Sequence, residues 1–171
     1  MENSNIITLA WAGTVNSEPP MLSISIRKER FSHDIIKDSG IFGVNLVSKP
    51  LIKACDYCGV KSGRDIDKFK ELKLTKYQGK TTGIPLIKES PASLECKVRQ
   101  IIELGTHDMF IADILDVHVS KELFDAKGAI DMQKADLVAY NHGEYYTLGQ
   151  YLGFYGYSVA GKEALARRLR K

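Results

Sequence analysis

The clearest alternation of apolar and polar positions lies at Met21–Arg27, where Leu22, Ile24 and Ile26 share one side and Ser23, Ser25 and Arg27 the other. A period of two predicts a half-buried β-strand. A second short apolar run, Asn5–Trp11, reads the same way, with Ile7, Leu9 and Trp11 opposite Ile6, Thr8 and Ala10. The residues between, Gly13 through Pro20, have turn chemistry. A short helix is expected next, with Ser32 as N-cap, Asp34 in its first turn and Gly40 just past its end. Ile41–Leu46 then reads as a buried strand. Ser48 and Pro50 open another helix that runs to Gly59, and a polar loop, Lys61–Asp65, leads to a short helix near Phe69.

The stretch from Tyr77 to Pro91 is expected to be loop. Leu94–Leu104 and Met109–Val119 form the longest strand pair, a hairpin joined by Gly105, Thr106, His107 and Asp108. In its second strand Phe110, Ala112 and Ile114 oppose Ile111, Leu115 and Val117, so both faces are apolar in places. Such a sheet needs cover from helices, from its own closure or from a second chain, and closure or dimerisation is the simplest of these.

Seven of the fifteen aromatic residues fall between Tyr140 and Tyr157, with Gly143, Gly149, Gly153 and Gly156 among them. That composition predicts an irregular aromatic arm lying on a surface. Residues 162–171 read as a short basic amphipathic helix or a frayed tail.

A length of 171 residues suits one globular domain, and 44% hydrophobic with 26% charged residues is ordinary globular usage. There is no apolar run of the roughly 20 residues a membrane helix needs, and the start has no secretion signal, so the expected place is the cytoplasm. Net charge is +3, but Lys162–Lys171 alone carries +4. The body is therefore near −1, which argues against nucleic acid as a partner. Three cysteines, Cys55, Cys58 and Cys96, make a poor disulfide framework and agree with a reducing compartment.

Two segments offer groups to a ligand. In Ser25–Asp34 a strand ending in Arg27 turns into a helix at Ser32, which aims a guanidinium, a hydroxyl and free amides at one point suited to a phosphate. The plain reading is a solvated turn with an ordinary cap. In Lys61–Phe69, Ser62, Gly63 and Arg64 could clamp a polar edge, or simply form a charged surface loop. The Cys55-x-x-Cys58 spacing invites redox or metal chemistry, but a third thiol alone is too few for a four-cysteine site, so the pair is read as helical packing. His33, His107, His118 and His142 lack ligand spacing, and no metal is expected. No G-x-S-x-G elbow, Walker loop or strand-to-helix G-x-G-x-x-G is present.

Together these segments resemble the flavin reductase-like, FMN-binding split-barrel family, most closely its flavoredoxin branch. The resemblance runs from Asn5 to Ser158. It rests on Asn5–Trp11 followed by Ser17–Pro20, on Ser25–Arg27 with Phe31–Ile35, and on Phe42–Leu46. Further matches are Gly59–Asp65 with Asp67–Phe69, Glu103–His107 before Met109–Ala112, and His142–Tyr146. It implies a mainly β fold with helices: a closed antiparallel Greek-key barrel with helical insertions over residues 1–158, followed by a basic tail at 159–171.

It also implies a homodimer with FMN near the subunit interface. Thr8, Ala10 and Trp11 would line the flavin ring, Ser25, Arg27 and Ser32 would hold ribityl or phosphate oxygens, and Asn45 would meet the flavin from the neighbouring strand. Ser62, Gly63 and Arg64 would close the phosphate or ring edge, and His107 would place a nicotinamide. Family members carry a strand ahead of Asn5, and with Met1 four residues away the expected barrel has a short or missing first strand.

The implied activity is electron transfer from NAD(P)H or a protein donor to a flavin or protein acceptor, and the other reading is an FMN carrier without a nicotinamide site. FMN needs an apolar slot and cations for its phosphate, and hydride transfer needs little acid–base machinery from the protein.

Overall fold

Leu22, Ile24 and Ile26 do turn inward together, at 5%, 1% and 2% exposure, in a computed structural model that describes residues 4–169. Met1–Asn3 of the expected domain, and Arg170 and Lys171 of the basic tail, lie outside the described residues. With Ile36, Phe42, Cys96, Phe110 and Ala112 the three isoleucine and leucine side chains make the core, against which Ile7, Leu9, Val44, Leu94, Val98, Ile101 and Ile114 pack.

The elements run β1 (Ala12–Ser17), β2 (Pro20–Arg27), α1 (Phe31–Ser39), β3 (Ile41–Asn45), α2 (Ile52–Val60) and α3 (Lys68–Glu71). Then come β4 (Lys76–Gln78), β5 (Pro85–Ile87), β6 (Ala92–Glu103), β7 (His107–Val119), β8 (Val138–Asn141), β9 (Glu144–Thr147) and α4 (Lys162–Arg168). Five strands form one antiparallel sheet in the order β1-β2-β7-β6-β3. Strands remote in sequence are thus neighbours, as a Greek-key path requires. The sheet does not close on itself among the described residues, so the expected antiparallel split barrel is borne out and only its full closure is not.

Several expectations need correction. Asn5–Trp11 is not a strand, and the segment read as turn, Gly13–Pro20, contains most of β1. Ile7 and Leu9 still pack on the core, but Ile6 O accepts from the Lys68 ammonium at 2.6 Å rather than from a neighbouring strand. Trp11 is 62% exposed. Every residue of β1 is exposed, so no buried face marks it in the sequence.

Ser32 is not the cap of α1. Arg30 holds that position without a side-chain hydrogen bond, and Ser32 sits one residue inside the helix. Gly40 ends α1 in the left-handed region, φ 68°, where glycine is favoured. Tyr77–Pro91 contains the small β4–β5 hairpin. The aromatic arm begins as a regular hairpin, β8–β9, because His142 at φ 49° and Gly143 at φ 88° supply the two positive-φ positions of a tight turn. His107 opens β7 instead of lying in the turn, and faces Arg27 across the ladder.

A register shift between Glu95 and Cys96 places both consecutive side chains inside. On the far face of β7, Leu115 and Val117 are exposed. Among the described residues no helix is long and apolar enough to cross a membrane.

Candidate functional site

Arg30 sits where β2 gives way to α1, and its guanidinium reaches across to the carbonyl of Gly59 in the last turn of α2. Beside it opens a cleft of about 140 Å³ lined by Ser32, Lys61, Ser62, Gly63, Arg64 and Lys68. Four cationic side chains and two hydroxyls around so small a space form a receptor for an oxyanion. Among the described residues no carboxylate other than that of Glu29 lines it.

The cleft is rigidly built. Asp67 caps α3 by accepting from Lys70 N at 3.2 Å, which sets Lys68 at the start of that short helix. Lys68 is 4% exposed, and its ammonium donates to Ile6 O at 2.6 Å and Cys58 O at 2.8 Å. Burial pushes its pKa down, and the Arg30 guanidinium works in the same direction. An anion in the cleft would offset both. Arg64 donates from Nη1 to Glu29 O at 3.2 Å and lies 5.3 Å over the Phe31 ring. Gly63 leaves no room for a Cβ, because the Asn5 carboxamide fills that space while donating to Ser32 Oγ at 2.9 Å.

Asn5, Ile7 and Ser32 also line a larger cavity of about 870 Å³, so the two spaces share a wall. That volume lies within the range of small-molecule sites, about 300–1,000 Å³. Its walls are mostly apolar, with Thr8, Ala10, Asn45, Cys55, Asp56 and Tyr145 as points of chemistry. Thr8 Oγ1 donates to Cys55 O. Asn45 Oδ1 accepts from Ile87 N at 3.0 Å and Ser93 Oγ at 2.9 Å, so its carbonyl oxygen is committed to holding β5 and β6. Tyr145 donates to Asp56 Oδ1 at 2.9 Å, and burial with that carboxylate pushes its phenol up to about 12.

The residues expected at the site therefore fall into three groups. Thr8, Ala10, Ser32 and Asn45 line the large cavity, and Ser32, Ser62, Gly63 and Arg64 line the cleft. Trp11, Ser25, Arg27 and His107 line neither. Trp11 and His107 lie with their ring centres 4.8 Å apart and their planes tilted by 47°, Ser25 N donates to Trp11 O at 3.1 Å, and Arg27 is paired with Glu29 at 3.4 Å with its side chain 55% exposed. Arg30, Lys61, Lys68 and Asn5 were not singled out from the sequence. Arg30, Lys61 and Lys68 lie within the two segments that the sequence offers to a ligand, Ser25–Asp34 and Lys61–Phe69, but local sequence assigns them no role.

Glu95, Asp116 and His118 bring ligand-type atoms within 4.8 Å of one another, a grouping that no sequence spacing announced. Glu95 is already saturated. It accepts from Thr81 N at 3.2 Å, from Thr82 N and Oγ1 at 2.6 Å each, and from His118 Nε2 at 2.6 Å. The group fastens the 79–82 loop to β6.

Residues 1–149 match the family model described as a flavin reductase like domain. The fold is similar to that of a flavoredoxin of Desulfovibrio vulgaris (Miyazaki F), with TM-score 0.85 and 33% identity over 91% of this chain and 85% of that one. A flavoredoxin from Methanosarcina acetivorans gives TM-score 0.81 and 30% identity over the same shares. A ferric-chelate reductase (NAD(P)H) of Archaeoglobus fulgidus is 28% identical over 63% of each sequence. A cationic strand-to-helix cleft, an adjoining apolar cavity and a split antiparallel sheet thus stand together in one chain, which belongs to the flavin reductase-like family.

Proposed function

We propose that the protein is an FMN-binding oxidoreductase that passes electrons from NAD(P)H or a protein donor to a flavin or protein acceptor. The observation that carries this reading is the cleft of Arg30, Lys61, Arg64 and Lys68 opening beside an apolar cavity. A phosphate monoester carries about two negative charges at neutral pH, which these cations and the Ser32 and Ser62 hydroxyls fit by charge and by donor chemistry. Thr8, Ala10 and the apolar walls would receive the ring system. Bound FMN would supply hydride acceptance and one-electron release. The residues of the chain hold the anion, keep water from the cavity and fix the position of whatever enters it. His107, in tilted ring contact with Trp11, would orient the nicotinamide of a pyridine nucleotide.

The protein would act as a homodimer in the cytoplasm. Supporting the first part, β1 is exposed along its whole length, and Leu148, Leu152, Tyr155 and Val159 of the arm are all exposed. The test is the absorbance spectrum of the purified protein, before and after anaerobic addition of NADH or NADPH. A flavin spectrum that a pyridine nucleotide bleaches supports the reading. Protein that neither arrives yellow nor takes up FMN defeats it, and a yellow protein that neither nucleotide bleaches favours the FMN-carrier reading unless a reduced protein donor bleaches it.

A further inference from the structure

The stretch of α2 from Cys55 to Gly59 carries both Cys55 and Cys58 and also three of the contacts that hold the site together. Cys55 O accepts from Thr8 Oγ1, Cys58 O accepts from the Lys68 ammonium at 2.8 Å, and Gly59 O accepts from the Arg30 guanidinium. Both cysteines line the large cavity, and both are free thiols, Cys55 partly exposed and Cys58 buried. Cys55 Sγ lies 3.8 Å from Thr8 Oγ1. A cavity wall, a pair of thiols and the anchors of two cleft cations are thus one piece of helix.

Residues three apart on a helix have Cβ atoms about 5–6 Å apart, whereas a disulfide holds them at about 3.5–4.5 Å. Closing a Cys55–Cys58 bond must therefore pull the two positions together by roughly 1–2 Å, which the helix accommodates only by distorting the turn between them. The carbonyls of Cys58 and Gly59 move with that turn.

We propose that Cys55 and Cys58 form a thiol–disulfide switch, whose closure distorts the last turn of α2 and withdraws the carbonyls that hold Lys68 and Arg30 in the cleft. The oxidant is a low-molecular-weight disulfide. The Cys55 thiolate attacks one of its sulfurs, forming a mixed disulfide and releasing one thiol. The Cys58 thiolate then attacks Cys55 Sγ, and the second thiol leaves. The pair loses two electrons, the reagent gains them, and the two protons given up by the cysteines end on the released thiols. A reducing dithiol reverses the sequence.

This regulation rests on the anion-binding role of the cleft proposed above, and the experiment separates the two. Reduced protein is treated with oxidised glutathione at mildly alkaline pH, and three things are read. Peptide mapping after alkylation is expected to find Cys55 and Cys58 joined within one chain. Hydrogen exchange is expected to speed up at the Lys61 amide, which bonds Tyr57 O at 2.9 Å in the same turn. FMN affinity is expected to fall roughly tenfold, the scale of losing a charge-assisted contact, and to return with dithiothreitol. Cys55→Ser, which removes the attacking thiol, should bind FMN equally well with and without the oxidant. Only mixed or intermolecular disulfides, or a closed disulfide that leaves either Lys61 exchange or FMN affinity unchanged, would overturn the switch. If the reduced protein takes up no FMN, the functional reading falls, and Lys61 exchange still decides the switch.

Discussion

His33 and Asp108 meet inside the protein, Nε2 to Oδ2 at 2.8 Å, with side chains only 5% and 3% exposed. The other ring nitrogen of His33 contacts Asp34 at 2.8 Å, and Lys28 lies 3.3 Å from the second oxygen of Asp108. Burial opposes charge on His33, but hydrogen bonds to Asp34 and Asp108 outweigh it and raise the imidazole above its ordinary 6.5. Burial likewise opposes charge on Asp108, and bonds from His33 and Lys28 win, holding its carboxyl below 3.8. The histidine's contribution is therefore complete below 6.5 and fades as pH rises through its higher folded value. The aspartate's is complete above 3.8 and fades as pH falls through its lower one. Melting temperature should be highest between 3.8 and 6.5 from this pair. His33→Gln should cost about 3 kcal/mol in that window, the low end for breaking a buried pair because Lys28 still faces Asp108. The alkaline decline should shrink in the variant, and an unchanged pH profile would show that His33 is not charged in the fold.

Glu95 makes a separate contribution with the opposite pH limb. Burial would raise its pKa, but bonds from the Thr82 side chain, from His118 and from the Thr82 and Thr81 amides bring it down to about 2. Its stabilisation is present above the ordinary 4.5 and is lost as pH falls towards 2. Glu95→Gln removes the charge that four donors address, and should cost about 3 kcal/mol at neutral pH. Urea unfolding at pH 7 and at pH 3 checks this: the gap between variant and parent should narrow in acid.

Where a side-chain pattern reports burial directly, the fold was legible in the sequence. Leu22, Ile24 and Ile26 gave β2 with its correct face, and the long β6–β7 pair followed from its length and its glycine turn. Asn5–Trp11 misled because Ile7 and Leu9 pack on the core without joining the sheet, and β1 was hidden because all of its side chains are exposed. Adjacent burial of Glu95 and Cys96 depends on a bulge, which alternation does not encode. Of the site, the polar segments were visible but their partners were not. Lys68 reaches the cleft only because α3 and α2 meet there, a long-range fact that no local spacing records.

Arg30, not Arg27, should dominate phosphate affinity. Arg30 lines the cleft beside Lys68, whereas Arg27 is more than half exposed and already paired with Glu29. Arg30→Ala should weaken FMN binding by about 1.5–3 kcal/mol, the range for hydrogen bonds to charged groups. Arg27→Ala should cost well under 1 kcal/mol, as exposed ion pairs do. Titration of both apoproteins with FMN by fluorescence quenching ranks them, and the reverse order would move the phosphate to the Trp11–His107 edge.

Gly63→Ala tests the wall between cavity and cleft. The added methyl would overlap the Asn5 carboxamide, which must then leave Ser32 Oγ. Because the obstacle is a single side chain in a surface loop, the fold should persist with a melting temperature within a few degrees of the parent's. FMN affinity should nevertheless fall by about tenfold, since Ser32 and the cleft backbone lose their fixed geometry. Loss of folding without a specific effect on binding would show that Asn5 anchors the domain and not the site.

His107 carries the last test. It opens β7 opposite Arg27, touches Trp11 in a tilted ring contact at 4.8 Å and has Nδ1 2.9 Å from Thr106 Oγ1, so its ring is held in place without lining either cavity. A hydride needs no proton from this side chain, and what the ring can offer a nicotinamide is a flat neighbour in a fixed orientation. Aromatic contacts of this kind are worth about 0.5–1.5 kcal/mol, or roughly two- to tenfold in an apparent binding constant. His107→Ala should raise KM for NADH or NADPH by that factor while leaving FMN occupancy and spectrum as they are. Anaerobic stopped-flow reduction over a range of nucleotide concentrations separates binding from the transfer step. Unchanged rates at every concentration would leave His107 and Trp11 as a surface pair with no part in donor binding.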